Sequence, residues 1–500
     1  MSASRVEDGG GVGRAGLPEG WAWATLDDLT EVVGGVTKDS KRQSDPALPG
    51  VPYLRVANVQ RMWLDLAEVT TIRVPAEAVE RYRLQPGDVL MTEGGDRDKL
   101  GRGWIWEGQI DTCIHQNHVF RARITGSSIE PKLLALYLNS VARPWIEANA
   151  KQSVNLASIS ISKIKQLPIP VPPTAEQHRI ATALDTRMAG LYAIESKLRV
   201  TLDHVDRTWA AVLDAVATGR MPGVATSTPV DRPVETVAEV RGGIQKQSRR
   251  RPADNPYPFL RVANVGRGTL DLTDVHEVEL FGGEIDRYRL EDGDLLVVEG
   301  NGSADQIGRA AIWRSEIKDC VHQNHLIRVR HGADLLPEYL EFVWNSPTMS
   351  RRLQKASVST SGLYTLSTRK LKELELPVAT REDQAALVTA AQIARSHLEQ
   401  ARDAAASALG HITALRNTLL TEAFSGRLVP QDAEDEPAEE LLKRIRVERE
   451  VAEAERKAAR KAARAGRKDK AETTAPPPAR PDDTILTDGE QTTLPLEFNS

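Results

Sequence analysis

The heptapeptide YLRVANV at 53–59 returns as FLRVANV at 259–265, and this internal echo constrains the fold more than any other feature of the chain. The match extends to LDL at 64–66 and 270–272, to GGVTK at 34–38 and GGIQK at 242–246, and to RYRLQPGDVL at 81–90 and RYRLEDGDLL at 287–296. CIHQNHVF at 113–120 answers CVHQNHLI at 320–327. The offset stays near about 206 to 208 throughout, so insertions are few and the two copies are predicted to share one fold. A domain has been duplicated in tandem.

Five hundred residues exceed one ordinary core and suit two to four domains. A net charge of −5 with 27% charged residues excludes a globally basic nucleic-acid coat, so any nucleic-acid contact must use local patches. The two cysteines, Cys113 and Cys320, occupy matching positions and neither has a partner within its own copy. This argues against a disulfide framework and for a reducing, cytoplasmic setting. The Gly-rich first twenty residues lack a continuous apolar region, and no run of about eighteen apolar residues occurs, so no membrane association is expected.

Within each copy, short runs of Val, Ile, Leu and Tyr broken by Gly, Asp, Asn and Pro predict strands joined by turns. The segments 131–150 and 337–356 each predict a short helix opened by proline. From 174 to about 219, and again from 380 to about 426, proline vanishes and the apolar period becomes helical. Leu184, Met188, Leu191, Leu198, Leu202, Val205, Trp209, Val212 and Val216 form a coiled-coil seam whose one polar member is Glu195. In the second stretch Leu398, Ala405, Ile412 and Leu419 recur every seven residues, beside Ala394, Ala401, Ala408 and Leu415. Thr174 with Gln177 predicts a capping box, and ATGR at 217–220 and FSGR at 424–427 supply glycine C-caps. Beyond Pro430 an acidic patch precedes a basic, alanine-rich stretch over about 441–470, predicted as a solvated helix, and a Pro- and Thr-rich tail predicted to be disordered. The predicted class is α+β: two tandem mixed α/β domains at 17–173 and 223–379, separated by two long antiparallel coiled-coil helices at 174–222 and 380–430, then 431–500.

Helices of about forty residues span roughly 60 Å at 1.5 Å per residue. Laid antiparallel, they hold two readers apart about a pseudo-twofold axis, as DNA half-sites one turn or a multiple of about 35 Å apart require. Readers in one chain are free to diverge, so an asymmetric, two-part target with an unread gap follows.

The order domain, long helix, domain, long helix, with the junction LPIPVPPTAEQ at 167–177 and the GDVL and QNHVF segments, resembles the specificity subunit of type I restriction-modification systems. The likeness spans roughly 17–430; the second junction, ELPVATREDQ at 375–384, lacks the paired prolines. The resemblance implies two target-recognition domains on double-stranded DNA, a helical spacer that docks two methyltransferase subunits, and recruitment of motor-nuclease subunits. It places S-adenosylmethionine, ATP and Mg2+ in those partners, with no cofactor in this chain.

Candidate DNA contacts fall in three places. Lys38, Lys41 and Arg42, and their counterparts Lys246, Arg249, Arg250 and Arg251, follow the Gly-Gly turns and suit phosphate neutralisation. The loops EGGDRDKLGR at 93–102 and EGNGSADQIGR at 299–309 differ most between the copies, so Arg97, Lys99, Asn301 and Gln306 suit base or groove contact. Lys151, Asn155 and Lys355 lie in a third pair of matching segments. Arg55 with Asn58, and Arg261 with Asn264, are identical in both copies and suit a structural role. Cys113, His115 and His118 alternate on a strand and make a poor zinc site, and hydrogen bonding within the domain is expected of the QNH motif. Asp88 with Glu93, and Asp294 with Glu299, lack the lysine of a metal-dependent nuclease. NPY at 255–257 lacks the second proline of an amino-methyltransferase motif, and GGGVG at 9–13 follows no strand. A non-catalytic recognition subunit is therefore expected. Two rival readings are a stand-alone nuclease or methyltransferase and a coiled-coil scaffold that binds only proteins.

Overall fold

The computed structural model describes residues 16–152, 157–301, 303, 306–360 and 363–472. The chain divides into two compact units, Met1–Thr186 with Asn417–Ser500, and Arg187–Arg416. The division passes through both long helices, Thr174–Thr218 and Arg381–Ala423. Each unit therefore holds one copy of the repeat, the start of one long helix and the end of the other.

In the first unit a four-stranded antiparallel sheet runs in the order Thr30–Gly34, Val119–Ile124, Val89–Thr92, Gly103–Ile105. Every residue of Val89–Thr92 is buried, because this inner strand is covered on both faces. Beside it, Gly50–Leu54 pairs in parallel with Ile114–His115 and antiparallel with Thr70–Arg73. Cys113 joins a core with Leu54, Leu90, Trp106 and Val119, while Ile114 joins another with Val36, Val51, Tyr53 and Ile72. Cys113, just before the strand, and Ile114, its first residue, thus feed two cores. The strands Ala22–Thr25 and Pro168–Val171 pair antiparallel and bring the two ends of the copy together.

The second unit repeats the plan of these sheets. Its four-stranded sheet runs Ala238–Gly242, Leu326–His331, Leu295–Val298, Ala310–Ile312, and Pro256–Leu260 pairs with Val321–His322 and His276–Glu279. Val230–Pro233 and Glu375–Val378 close it.

Three expectations are corrected. Where one helix was predicted over 131–150 the chain forms two, Pro131–Asn139 and Arg143–Asn149, and likewise Pro337–Trp344 and Pro347–Ala356. Pro144 and Pro347 stand in the first turn of each second helix, where the missing N–H costs nothing but the preceding helix cannot continue. Gln177 does not close a capping box: its carboxamide accepts from the Glu130 N–H at 2.8 Å and donates to the Pro172 carbonyl at 3.0 Å. Gln384 makes the same bonds to Leu336 N–H and the Ala379 carbonyl, at 2.8 and 2.9 Å, so each long helix is bolted to its own domain. The third concerns the terminal helix, Ala438–Glu472, which is not solvated throughout. Ala438, Leu441, Leu442 and Ile445 are buried, and the Ala438 N–H bonds the Gly20 carbonyl at 2.8 Å.

Within the second unit the two long helices run antiparallel. Glu195 meets Arg416 at 2.5 Å and Asp206 ion-pairs with Arg402, while Arg395 lies over the Trp209 ring, so position rises along one helix as it falls along the other. The predicted seam is buried or half-buried from Met188 to Val216, and its polar member Glu195 is satisfied by Arg416 and Arg199. On the facing helix Ala405 and Ile412 are buried, whereas in the adjoining row Ala394 and Ala408 are half-buried and Ala401 and Leu415 are exposed; the seven-residue row is the more deeply buried one.

Candidate nucleic-acid interface

The motifs that recur between the copies meet at one place. In the first copy the Val36 N–H bonds the His115 carbonyl at 2.8 Å, the Asn117 N–H bonds the Val36 carbonyl at 3.1 Å, and the Gln116 N–H bonds the Leu54 carbonyl at 2.9 Å. The Glu93 N–H bonds the His118 carbonyl at 2.9 Å. The QNH motif thus joins the Gly-Gly turn, the YLRVANV segment and the end of the inner strand. The second copy repeats the hub through Ile244, Leu260, Glu299 and the QNH motif at 323–325, at 2.8 to 3.0 Å.

Gly35 is required by this closeness: a Cβ there would stand 1.8 Å from the His115 carbonyl oxygen, and one at Gly243 would stand 2.3 Å from that of His322. Backbone would have to move to admit it. Gly35→Ala is expected to destabilise the first unit by about 2 kcal/mol or more, read as a lowered first transition in thermal unfolding.

YLRVANV does not stay in the strand. The strand ends at Leu54 and Val56–Asn58 makes a single 3-10 turn. The buried Asn58 carboxamide accepts from the Arg55 N–H and donates to the Asp65 and Glu68 carbonyls, each at 2.9 Å. Asn264 does the same for Arg261, Asp271 and Asp274, at 2.8 to 3.0 Å. The recurrence of this motif is explained by a side chain that staples its own loop.

The candidate contact residues radiate from the hub. Lys38, Lys41 and Arg42 are exposed on the loop and short helix Ser40–Gln43, which Asp39 caps at 2.9 Å from the Lys41 N–H. Lys246, Arg249 and Arg251 are exposed at the matching place. Arg250 departs from that set: its guanidinium holds Glu284 through two 2.8 Å bonds and lies over the Phe281 ring, so it fixes the loop instead of projecting from it. The same contact draws the Glu284 carboxyl down to about 2.

A small three-stranded sheet gathers the other candidates. Gly94–Gly95 pairs with Ala157–Ser158, which pairs with Lys151–Gln152, and the turn Arg97–Lys99 follows directly. An open cleft of about 600 Å³ lies here, lined by Glu93, His118, Lys151 and Gln152 among others. Arg97 and Lys151 are exposed, and Lys99 ion-pairs with Asp96. In the second copy Gly300–Asn301 pairs with Leu363–Thr365, which pairs with Val358–Thr360. Exposed Lys355 stands near the end of the helix that feeds this sheet, and exposed Gln306 lies on the divergent loop. Asn155 and the side chain of Asn301 lie outside the described residues.

Sequence reasoning gave the QNH motif a role inside the domain and did not single out one pair. His118 Nδ1 lies 2.6 Å from Glu93, and His325 Nδ1 lies 2.9 Å from Glu299, both imidazoles half-exposed beside the small sheet. The signal was present in the repeat, since each copy carries the glutamate and the histidine at matching positions. Asp88 is buried against Arg123 at 2.7 Å, and Asp294 against Arg330 at 2.7 Å. Among the described residues no group of three His, Cys, Asp or Glu side chains could hold a metal.

His115 and His322 are buried, with Nδ1 donating to the Val119 and Leu326 carbonyls at 2.7 and 3.0 Å. Burial pushes both imidazoles down to about 4 from the usual 6.5. The unfolded chain therefore takes up these protons first as pH falls below 6.5, so stability is complete above that value and drains away towards pH 4. A loss of order 3 kcal/mol per histidine is expected across that window. His115→Asn, which keeps a donor for the Val119 carbonyl, should flatten the acid dependence of the first unit in unfolding titrations.

Comparison with known proteins agrees with this arrangement. A family model described as the type I restriction modification DNA specificity domain matches residues 18–204. The EcoKI specificity subunit of Escherichia coli K12 is 26% identical over 479 residues, covering 89% of this chain and 98% of the relative. The StySPI specificity subunit of Salmonella potsdam is 24% identical over 477 residues, covering 90% and 100%. A solved chain from work on complex assembly and conformational transition of the type I R-M system superposes with a TM-score of 0.63 at 16% identity, covering 83% of this chain and all of that one. Residues 18–204 thus match the type I restriction modification DNA specificity domain, and the chain is similar along nearly its whole length to type I restriction enzyme specificity subunits.

Proposed function

We propose that this chain is the non-catalytic subunit that selects a bipartite DNA target, with residues 17–173 reading one half and 223–379 the other. The observation that supports this most directly is the hub built twice from the same motifs, with loops of different length and polarity leaving it at matching points. A common frame with divergent polar loops is what two related readers of different sequences require. In this reading the basic loops at 38–42 and 246–251 grip phosphates, and the small-sheet loops reach base edges. The spacer helices dock two methyltransferase subunits, using exposed apolar positions such as Ile194, Val200 and Ile393. Motor-nuclease subunits join the larger assembly, and S-adenosylmethionine, ATP and Mg2+ act in those partners.

Binding of the chain and its methyltransferase partner to duplexes of varied sequence and salt tests the assignment. Joint replacement of Lys38, Lys41 and Arg42 by Gln is expected to weaken binding alike on all sequences, lowering the salt slope by about 0.9 per lost phosphate contact. Arg97→Ala is expected to cost about 1–3 kcal/mol on the target and to relax preference at one position only. Equal effects on target and scrambled DNA from both sets would contradict the division of labour.

A further inference from the structure

The terminal helix Ala438–Glu472 has two unlike halves. Its first turns are docked: Leu441, Leu442 and Ile445 are buried, and Arg449 donates to the Asp27 carbonyl. Arg179 clamps Asp435 just upstream at 2.6 and 3.2 Å, and Arg456 reaches Glu31 at 3.8 Å. Beyond this anchor the sequence RKAARKAARAGRKDK at 456–470 carries eight of the chain's 65 basic residues and one of its 70 acidic ones. A chain that is acidic overall has concentrated positive charge on one helical arm fixed to its first unit. The basic residues recur at 456 and 457, 460 and 461, 464, and 467 and 468, the three- and four-residue spacing at which like charges on a helix disfavour one another. A merely solvated helix gains nothing from that repulsion, whereas a polyanion relieves it.

We infer that this arm is a phosphate-backbone contact for duplex DNA flanking the half-site of the first domain. It adds affinity without sequence preference. The inference rests on the DNA-recognition reading of the first unit, but concerns a segment that this reading does not use.

The test is a full-length variant carrying Arg460→Gln, Lys461→Gln, Arg464→Gln, Arg467→Gln and Lys468→Gln. These exchanges remove charge with little change in helix propensity. Affinity for a 40-base-pair duplex with the target, and for a scrambled duplex of equal composition, is measured with the methyltransferase partner across a salt series. Circular dichroism and thermal unfolding confirm that the first unit is intact. The expected result is about tenfold or greater weakening near 0.1 M salt on both duplexes, with the salt slope reduced by about 0.9 per lost contact. The preference for the target should be unchanged. Unchanged affinity and slope overturn the inference, as does a variant that binds DNA normally but loses its methyltransferase partner, which would make the arm a protein-docking element. Absence of any target preference in the unsubstituted protein would overturn the recognition reading instead, and the scrambled duplex would still report on the arm.

Discussion

Exchanging residues 17–173 for the corresponding segment of a type I specificity subunit is expected to change one half of the DNA target and leave the other half and the gap as they were. The segment is closed on itself by the pairing of Ala22–Thr25 with Pro168–Val171, so its ends sit side by side and it can be lifted out. Each mismatched base pair costs about 1–3 kcal/mol, so a half-site of roughly three pairs stands for on the order of 3–9 kcal/mol of discrimination on that side alone. Several bonds cross the cut, and two of them set a condition on the donor. Trp21 Nε1 donates to buried Glu176 at 2.9 Å, and Gln177 bonds the backbone of Glu130. A donor lacking the tryptophan would leave Glu176 unpartnered, and its carboxyl is already raised by burial. Methylated-base mapping of the chimera is the readout, and alteration of both halves would contradict modular reading.

The second large effect is expected from Asn58→Ala. One buried carboxamide serves the Arg55 N–H and two carbonyls, and its removal leaves all three without that partner. With about 1–3 kcal/mol for each buried group left unsatisfied, the first unit should lose roughly 3 kcal/mol or more. Asn264→Ala should do the same to the second. Thermal unfolding followed by limited proteolysis would show which unit opens. A variant that unfolds normally yet binds DNA poorly would mean that Asn58 touches DNA and is not a staple.

Much of this was legible in the chain because duplication labels its own invariants. Residues repeated in both copies are the frame, and the loops that differ are where function can diverge. Asn58 was read as structural on that ground, and its burial and bonding agree; His115 was weighed only as a poor zinc ligand, and its buried structural role emerges from the fold. The proline pattern gave the long helices, and the alternate four- and three-residue spacing gave the seam, including its polar break at Glu195. What escaped was tertiary in nature. Gln177 fits a capping box by spacing, but the loop at 128–130 offers its carboxamide three-dimensional partners that local sequence does not disclose. Arg250 looks like its neighbours until Glu284, 34 positions away, is seen to hold it. The docking of Leu441, Leu442 and Ile445 is likewise invisible in a stretch whose composition reads as solvated.

The central claim is that two copies of one scaffold each read their own half of a split target. Genome-wide mapping of methylated bases in cells with the gene and in cells deleted for it tests that most directly. The account requires a motif present only with the gene, made of two unlike short sequences separated by an unread gap of constant length. A continuous motif, a gap of variable length, or a pattern that survives deletion would contradict it.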